Sequence, residues 1–302
     1  MPFWASISIL GLAQAALVAL PAARPRPAWT ERLSSPWWAL VPALSIAVVI
    51  GAIEVTPGSA DALTYIALFY VPPLAAYALG ALTRIRLNPL STWVETYSRS
   101  DLAWLAPVSV MMALFALAWI SPRSLIGEAA ATALSGLACV TLGWLLVCGV
   151  PARWLRLGVY AMAVIDTVYV SSDLLQGPNA VLNAAAPAAG LPRLQAVHFG
   201  SALMGFGDLF VAALVGCLLA SDDLRRNRDG REPPVASVRQ VSLDPQLLGA
   251  ALVAVLALAF DLLFFAVDEL PSTVPVAIAL ALVQWKWPTA ERWGSRSRSA
   301  VR

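Results

Sequence analysis

The sequence has little charge and few of the residues that bind metal ions. Asp, Glu, Lys and Arg together make up 13% of the 302 residues, against roughly a quarter in a soluble domain. The chain has one histidine, His198, and its three cysteines, Cys139, Cys148 and Cys217, all lie in apolar runs. These shortages exclude a soluble enzyme, a disordered chain and a nucleic-acid-binding protein, and they imply no disulfide framework. We therefore expect no metal site, no cofactor and no nucleic-acid partner.

Apolar residues are what the sequence has instead. They make up 59% of the chain, whose mean hydropathy is +0.73, and the uncharged runs between charge clusters are about as long as the ~20 residues that span a bilayer. We count nine such segments, at residues 3–20, 37–54, 61–82, 102–120, 128–150, 157–175, 196–220, 247–267 and 270–285. The predicted fold class is an all-α polytopic membrane protein with nine transmembrane helices.

The basic residues are divided very unevenly between the loops. Of the 20 Lys and Arg residues, 18 follow odd-numbered segments, whereas Arg123 and Arg193 are the only two in the remaining loops. Basic loops stay in the cytoplasm, so we expect the N-terminus outside and the C-terminus in the cytoplasm. The Arg-to-Lys ratio of 19 to 1 and the short loops favour the plasma membrane of a prokaryote.

Changes of composition along the chain indicate five parts. They are an N-terminal five-helix part at 1–156, helices six and seven at 157–220, a polar cytoplasmic linker at 221–246, helices eight and nine at 247–287, and a basic cytoplasmic tail at 288–302. No inverted internal repeat of the kind found in many transporters is visible.

Three carboxylates lie well inside apolar segments. Asp166 and Asp208 fall near the middle of segments six and seven, and Asp261 lies two-thirds of the way along segment eight. An acid at the centre of a membrane helix costs about 2.5–3.5 kcal/mol on insertion scales, so each one indicates a function. Neighbouring helices pack about 8–10 Å apart, which lets Asp166 and Asp208 form a dyad.

Two facing carboxyl groups have a defined chemistry. Like charges a few ångströms apart in a low dielectric cannot both ionise, so the pair holds one proton. The ionised member then takes a proton from water while the protonated member donates to a peptide carbonyl. The two groups titrate as one coupled pair, so the acid and base roles stay open between Asp166 and Asp208.

Glycines beside one of these acids make the pattern more specific. Asp208 is preceded directly by Gly205, Phe206 and Gly207. Glycines beside an intramembrane acid have no side chains, so another backbone can come close there. That backbone belongs either to a substrate or to a neighbouring helix in an ordinary tight contact.

These residues resemble the presenilin and signal peptide peptidase family of intramembrane aspartyl proteases. The GxGD signature of that family appears as Gly205-Phe206-Gly207-Asp208, and Asp166 stands at the position of its other aspartate, with Ile165 where the family usually has Tyr. The resemblance implies that Asp166 and Asp208 are catalytic and that the two glycines and Phe206 support them.

The same resemblance bears on the substrate. It implies that a proline at the start of the last helix, Pro271 or Pro275, helps to bind substrate, in place of the family's Pro-Ala-Leu motif. With the N-terminus outside, the topology resembles signal peptide peptidase. That implies transmembrane substrates of type II orientation, including signal-peptide remnants, cleaved within the bilayer.

Three other functions compete with this one. A prepilin-peptidase-like enzyme also uses a GxGD aspartate, although Leu209 stands where that family usually has Lys. A proton-coupled transporter would use Asp166, Asp208 and Asp261 as a relay. A catalytically inactive relative would act as a scaffold for membrane helices. Only a protease of either kind predicts peptide products.

Overall fold

A computed structural model of the chain describes residues 1–22, 58–87, 105–172, 190–228, 244–265 and 270–286, together with positions 44, 48, 51, 56, 180, 181, 184, 185, 187 and 188. The described part is mostly helical. Its helices are α1 Phe3–Ala19, α2 Ser59–Leu87, α3 Leu105–Ile120, α4 Leu125–Gly149, α5 Ala152–Ser171, α6 Phe206–Arg228, α7 Pro245–Asp261 and α8 Thr273–Lys286. Strands β1 Ala196–Phe199 and β2 Ala202–Gly205 form a two-stranded sheet, and a 3-10 turn, Leu262–Phe265, follows α7.

Several helices have the length and apolar character that a bilayer requires. Three of them are long and apolar enough to cross a membrane, at Ser59–Leu82, Leu125–Gly149 and Pro245–Phe265. The helices α1, α3 and α8 are apolar but shorter. The prediction of a helical membrane protein is confirmed at this level, and the nine crossings and their orientation stay predictions.

The helices correspond closely to the apolar segments of the sequence. Eight of the nine segments contain one helix each, and segment 37–54 lies outside the described residues except at isolated helical positions. The basic tail at 288–302 also lies outside them. The helix α6 runs to Arg228, eight residues into the predicted linker, because Asp, Leu and Arg continue a helix without difficulty.

The seventh apolar segment corrects the sequence analysis, because residues 196–220 are not one helix. Residues 196–205 form an antiparallel hairpin in which Ala196 pairs with Gly205 and Phe199 with Ala202. The turn is the two-residue loop Gly200-Ser201, where Gly200 has a φ of 61°. Two-residue hairpin loops require positive φ at a central position, and glycine adopts it without a steric cost.

The helix α6 lies at the centre of the bundle. Its residues 211–220 are buried in ten consecutive positions, as expected for a helix surrounded on all sides. It packs against α1, α4, α5, α7 and α8. The contact with α1 is so close that a Cβ atom on Gly216 would lie 2.5 Å from the carbonyl oxygen of Val18.

Hydrogen bonds hold the tip of the hairpin between two helix starts. The Gly200 amide donates to the Glu128 carboxylate of α4 over 2.7 Å, and the Ser201 amide donates to the Ser6 hydroxyl of α1 over 3.2 Å. Two residues before β1, the carbonyl of Leu194 accepts a hydrogen bond of 3.2 Å from the Ser135 hydroxyl of α4. The strand that leads into α6 therefore has a fixed position against the bundle.

Candidate active site

Asp208 lies in the first turn of α6, two residues after the helix begins. Its Oδ2 accepts a hydrogen bond of 3.1 Å from the backbone amide of Gly205, the last residue of β2. An acidic side chain three residues into a helix commonly binds back to the amide at the helix start in this way. The prediction that Asp208 lies in the middle of a helix is therefore wrong, because the hairpin replaces the first half of that helix.

Asp166 lies near the end of α5 and binds the start of another helix. Its Oδ2 accepts a hydrogen bond of 2.6 Å from the Thr273 hydroxyl and a longer one of 3.4 Å from the Thr273 amide. Thr273 is the first residue of α8, and its side chain is buried. Asp166 thus supplies the acceptor that the free amide of a helix start requires.

The two carboxyl groups meet on either side of one dipeptide. Thr273 contacts Asp166, while the side chain of the preceding residue, Ser272, lies beside Asp208. Consecutive Cα atoms are about 3.8 Å apart, so the two acids lie close together, within reach of each other's charge. The structure therefore brings Asp166 and Asp208 into one site.

Two helix starts make this arrangement tolerable in an apolar bundle. A buried carboxylate without hydrogen bonds is very unfavourable, and the exposed amides and positive dipole end of a helix N-terminus favour negative charge. Asp208 uses the start of its own helix, α6, and Asp166 uses the start of α8. The site is thus built where two helices begin, with both carboxyl groups half-buried.

The two glycines of the motif have different surroundings. A Cβ atom on Gly205 would lie 3.1 Å from Oδ2 of Asp208, whereas a Cβ atom on Gly207 would meet no atom within 4 Å among the described residues. Between them, the carbonyl of the half-buried Phe206 accepts a hydrogen bond of 3.8 Å from the Cys139 thiol. No second backbone of the described part lies against Gly207, so open space adjoins Asp208 there.

The two candidate prolines occupy different positions at the start of α8. Pro271 directly precedes the Ser272–Thr273 step, and its carbonyl accepts a hydrogen bond of 3.1 Å from the amide of Val274. Pro275 is buried in the first turn of α8. Of the two, Pro271 is the one joined directly to the residues that contact the carboxyl groups.

The structure adds site residues that the sequence analysis did not single out. Ser272 and Thr273 lie against the carboxyl groups, and the buried amide Nε2 of Gln14 in α1 donates to the carbonyl of Ser272 over 3.5 Å. Gln14 is an amide inside an apolar segment, so the rule that intramembrane polar groups indicate a function would have selected it.

Asp261 is the third intramembrane acid, and its carboxyl group is not among the contacts of this site in the described part. It is the last residue of α7, and its Oδ2 is buried without a hydrogen-bond partner among the described residues. Within the described part, it makes no hydrogen bond to Asp166 or Asp208. Of the three acids, the structure therefore brings Asp166 and Asp208 together.

Polar contacts also connect the three helices of the site farther along their length. Arg156 of α5 and Asp222 of α6 form a buried ion pair of 2.7 Å. One turn along α5, the Tyr160 hydroxyl donates to the amide oxygen of Gln284 in α8 over 3.2 Å. These contacts fix α5 against the two helices whose starts carry the site.

Comparisons of the chain with protein-family models, with curated proteins and with solved structures found no match. The chemistry open to the site is therefore inferred from its own residues. Those are two carboxyl groups, two hydroxyl groups, and the open space beside Gly207.

Proposed function

We propose that the protein is an intramembrane aspartic endopeptidase that cleaves transmembrane segments within the bilayer. The observation that carries this proposal is the pairing of Asp166 with Asp208 across the Ser272–Thr273 step. Two neighbouring carboxyl groups that feel each other's charge share a proton in a low dielectric and supply both an acid and a base. That combination hydrolyses a peptide bond without a metal ion.

The mechanism follows from one shared proton. The ionised carboxylate takes a proton from a water molecule as the water oxygen attacks the peptide carbonyl carbon, and the protonated carboxyl group donates to the carbonyl oxygen. The tetrahedral intermediate then collapses, the carbon–nitrogen bond breaks, and the leaving amine takes a proton from the pair. The Thr273 hydroxyl holds Asp166 in position, and the Ser272 side chain lies beside Asp208.

The hairpin next to Asp208 supports an extended, locally unwound substrate. The strand β2 ends at Gly205 and continues directly into α6. The sheet of the described residues has two strands, with β1 packed against α4 and β2 against α1, and a substrate strand would extend it at the outer edge of β2. Together with the space beside Gly207, this edge suits a peptide whose scissile bond lies at Asp208.

The loop charges support a particular orientation for this activity. With 18 of 20 basic residues in alternate loops, nine crossings place the N-terminus outside and the C-terminus in the cytoplasm. In this orientation the substrates are type II segments, with their N-termini in the cytoplasm, and signal-peptide remnants are included. The protein would be a multi-pass protein of a prokaryotic plasma membrane.

A cleavage assay with purified protein in detergent tests the proposal. The substrate is a type II transmembrane reporter peptide, and the variants are Asp166→Asn and Asp208→Asn. We expect cleavage to fall by several orders of magnitude in each, because the two groups act as one unit. Asp261→Asn is the matched control and should retain cleavage. Products that persist in both dyad variants would contradict the proposal.

A proton-coupled transporter is the second candidate, and Asp261 is the observation that favours it. A buried carboxyl oxygen without a hydrogen-bond partner among the described residues is a group that a proton relay could use. A transporter predicts proton-linked flux in vesicles that is lost in Asp261→Asn, with no peptide products. The pairing of Asp166 with Asp208, in which Asp261 takes no part through hydrogen bonds of the described residues, favours the protease.

A further inference from the structure

Two polar side chains are buried in α1, a helix made mainly of apolar residues. Gln14 has 2% of its surface exposed, and Ser6 has none. Burial of an amide group without a hydrogen bond costs free energy, so a buried glutamine destabilises an apolar helix unless its amide has a partner. The described partner of Gln14 is the carbonyl of Ser272, which lies 3.5 Å from its Nε2.

The carbonyl that Gln14 contacts belongs to the same peptide group as the amide that contacts Asp166. The Thr273 amide donates to Oδ2 of Asp166 over 3.4 Å. A trans peptide group is planar, so its carbonyl and its amide point in opposite directions. The peptide between Ser272 and Thr273 is therefore held from both sides, by Gln14 of α1 and by Asp166 of α5.

The orientation of this peptide decides how well its amide reaches Asp166. N–H···O hydrogen bonds are usually about 2.7–3.2 Å long and weaken steeply when they are bent, so a small rotation of the peptide would break a bond of 3.4 Å. A donor on the carbonyl also polarises the peptide and strengthens the bond made by its amide, by about 10–30% in chains of hydrogen bonds. Gln14 can therefore act on Asp166 through the peptide.

The other buried polar side chain of α1 contacts the segment that leads to the second aspartate. The Ser6 hydroxyl accepts a hydrogen bond of 3.2 Å from the Ser201 amide at the tip of the hairpin, and β2 of the hairpin continues into α6 and Asp208. Helix α1 also packs against α6 and α7. It thus contacts both segments that lead into the site, the hairpin before α6 and the turn before α8.

We propose that Gln14 is a positioning residue, which orients the Ser272–Thr273 peptide so that its amide stays on Asp166 during proton transfer. The inference rests on the proposed function, because it gives Gln14 a part in the same two-carboxyl chemistry. It gives Gln14 no part in substrate binding. Loss of the Gln14 amide therefore slows the chemical step and leaves the affinity for substrate unchanged.

Gln14→Met tests the proposal, because methionine is similar in length, suits an apolar helix and cannot donate a hydrogen bond. We expect kcat for the type II reporter peptide to fall about three- to ten-fold, the effect of losing one hydrogen bond, with little change in KM. Gln14→Asn keeps the amide on a side chain that is one methylene group shorter, so its donor does not reach the Ser272 carbonyl. Its kcat should fall as far. Wild-type kcat in either variant would overturn the proposal.

Two controls distinguish positioning from a general loss of folded protein. A fluorescent peptide in which a hydroxyethylene group replaces the scissile amide mimics the tetrahedral intermediate and counts the intact sites, so kcat is expressed per site. Thr141→Val is the matched variant, because the buried Thr141 of α4 donates to the Leu74 carbonyl of α2 over 2.7 Å. Neither helix carries an aspartate of the site, so this variant should retain wild-type kcat per site. An equal fall in Thr141→Val would overturn the proposal.

The melting temperature in detergent separates this inference from the proposed function, because it requires no cleavage. Asp166→Leu removes the acceptor of the Thr273 amide, so the peptide is no longer held from both sides. Gln14→Met and Asp166→Leu together should lower the melting temperature by less than the sum of their separate shifts, whereas Thr141→Val and Asp166→Leu should add. If no reporter is cleaved, the proposed function fails, and this coupling still supports the link from Gln14 to Asp166. Additive shifts for Gln14→Met and Asp166→Leu would overturn the link.

Discussion

Gly207 shows how a single missing side chain serves a site without serving the fold. A Cβ atom there would enter open space among the described residues, so Gly207→Ala should leave the melting temperature almost unchanged. We expect kcat/KM to fall at least about ten-fold, because the methyl group occupies the space that the substrate backbone requires next to Asp208.

The matched control for this prediction is Gly158→Ala. Gly158 lies on α5 two turns before Asp166, and a Cβ atom there also meets nothing within 4 Å. That variant should keep both stability and cleavage. If Gly207→Ala cleaves as well as wild-type protein, the open space beside Gly207 has no part in substrate binding.

Thr273 is the residue whose hydroxyl holds Asp166, and it can be tested by a nearly isosteric change. Thr273→Val removes the hydrogen bond of 2.6 Å to the carboxylate. A hydrogen bond to a charged group contributes about 1.5–3 kcal/mol, so we expect kcat to fall about ten- to hundred-fold. Thr273→Ser keeps the hydroxyl and should restore most of the rate. Equal rates in the serine and valine variants would contradict this role.

The acids of the site could be selected from sequence, whereas its hydroxyl residues could not. An intramembrane carboxylate is expensive enough to be rare, which is why Asp166 and Asp208 stood out. A hydroxyl group in an apolar helix costs little free energy, because it donates to the backbone of its own helix. The Thr132 hydroxyl, for example, donates to the carbonyl of Glu128 over 2.7 Å. A serine or threonine in an apolar segment therefore carries little information until its partner is known.

At the scale of single elements, the hairpin shows why residues 196–205 were predicted as helix. Its apolar residues fit both the two-residue period of a strand and the 3.6-residue period of a helix. The hydropathy of a short apolar run therefore does not distinguish a strand from a helix. Judged by hydropathy alone, residues 196–205 form one apolar segment with the helix that follows. The pair Gly200-Ser201 is a recognised two-residue hairpin loop, and it was the local signal that could have divided the segment.

The ion pair between α5 and α6 makes a prediction about stability. Arg156 and Asp222 are both buried, with 8% and 9% of their surfaces exposed. Asp222→Asn leaves the buried Arg156 without this anionic partner, and loss of one member of a buried pair costs about 3–5 kcal/mol. We expect the free energy of unfolding in mixed micelles to fall by about that amount.

Two control variants accompany the test of this ion pair. Arg153→Gln, at an exposed position three residues away on α5, loses only a cation–π contact with Trp154 and should change the free energy of unfolding by no more than about 1 kcal/mol. The exchange Arg156→Asp with Asp222→Arg keeps both charges and should recover part of the lost stability. A single Asp222→Asn variant as stable as wild-type protein would show that the pair does not connect the two helices.

At the scale of the whole molecule, the distribution of basic residues predicts the topology. With 18 of 20 basic residues in alternate loops, a reporter fused after Arg302 should be active only as a cytoplasmic reporter. A reporter inserted at 187–190 should be active only outside. A C-terminus found outside would reverse the orientation and, with it, the expected type II substrates.

The positions of the described helices followed from hydropathy, but their packing did not. Water is absent from the bilayer core, so backbone groups must bond within helices, and the uncharged runs of the chain mark eight of the described helices closely. Which helices touch depends on small residues such as Gly216, whose missing side chain admits the backbone of Val18. Such pairwise fits leave no periodic signal in a single sequence.

The oxygen atoms that bind helix starts are also those to which the proposed function assigns the chemistry. Oδ2 of Asp166 receives the first amide of α8, and Oδ2 of Asp208 receives the amide that precedes α6. Each proton that the pair gains or loses therefore changes the strength with which a helix end is held. Alanine at either position removes a helix cap together with a proposed catalytic group. Asparagine, whose carbonyl still accepts the amide, is the substitution that separates loss of activity from unwinding of the site.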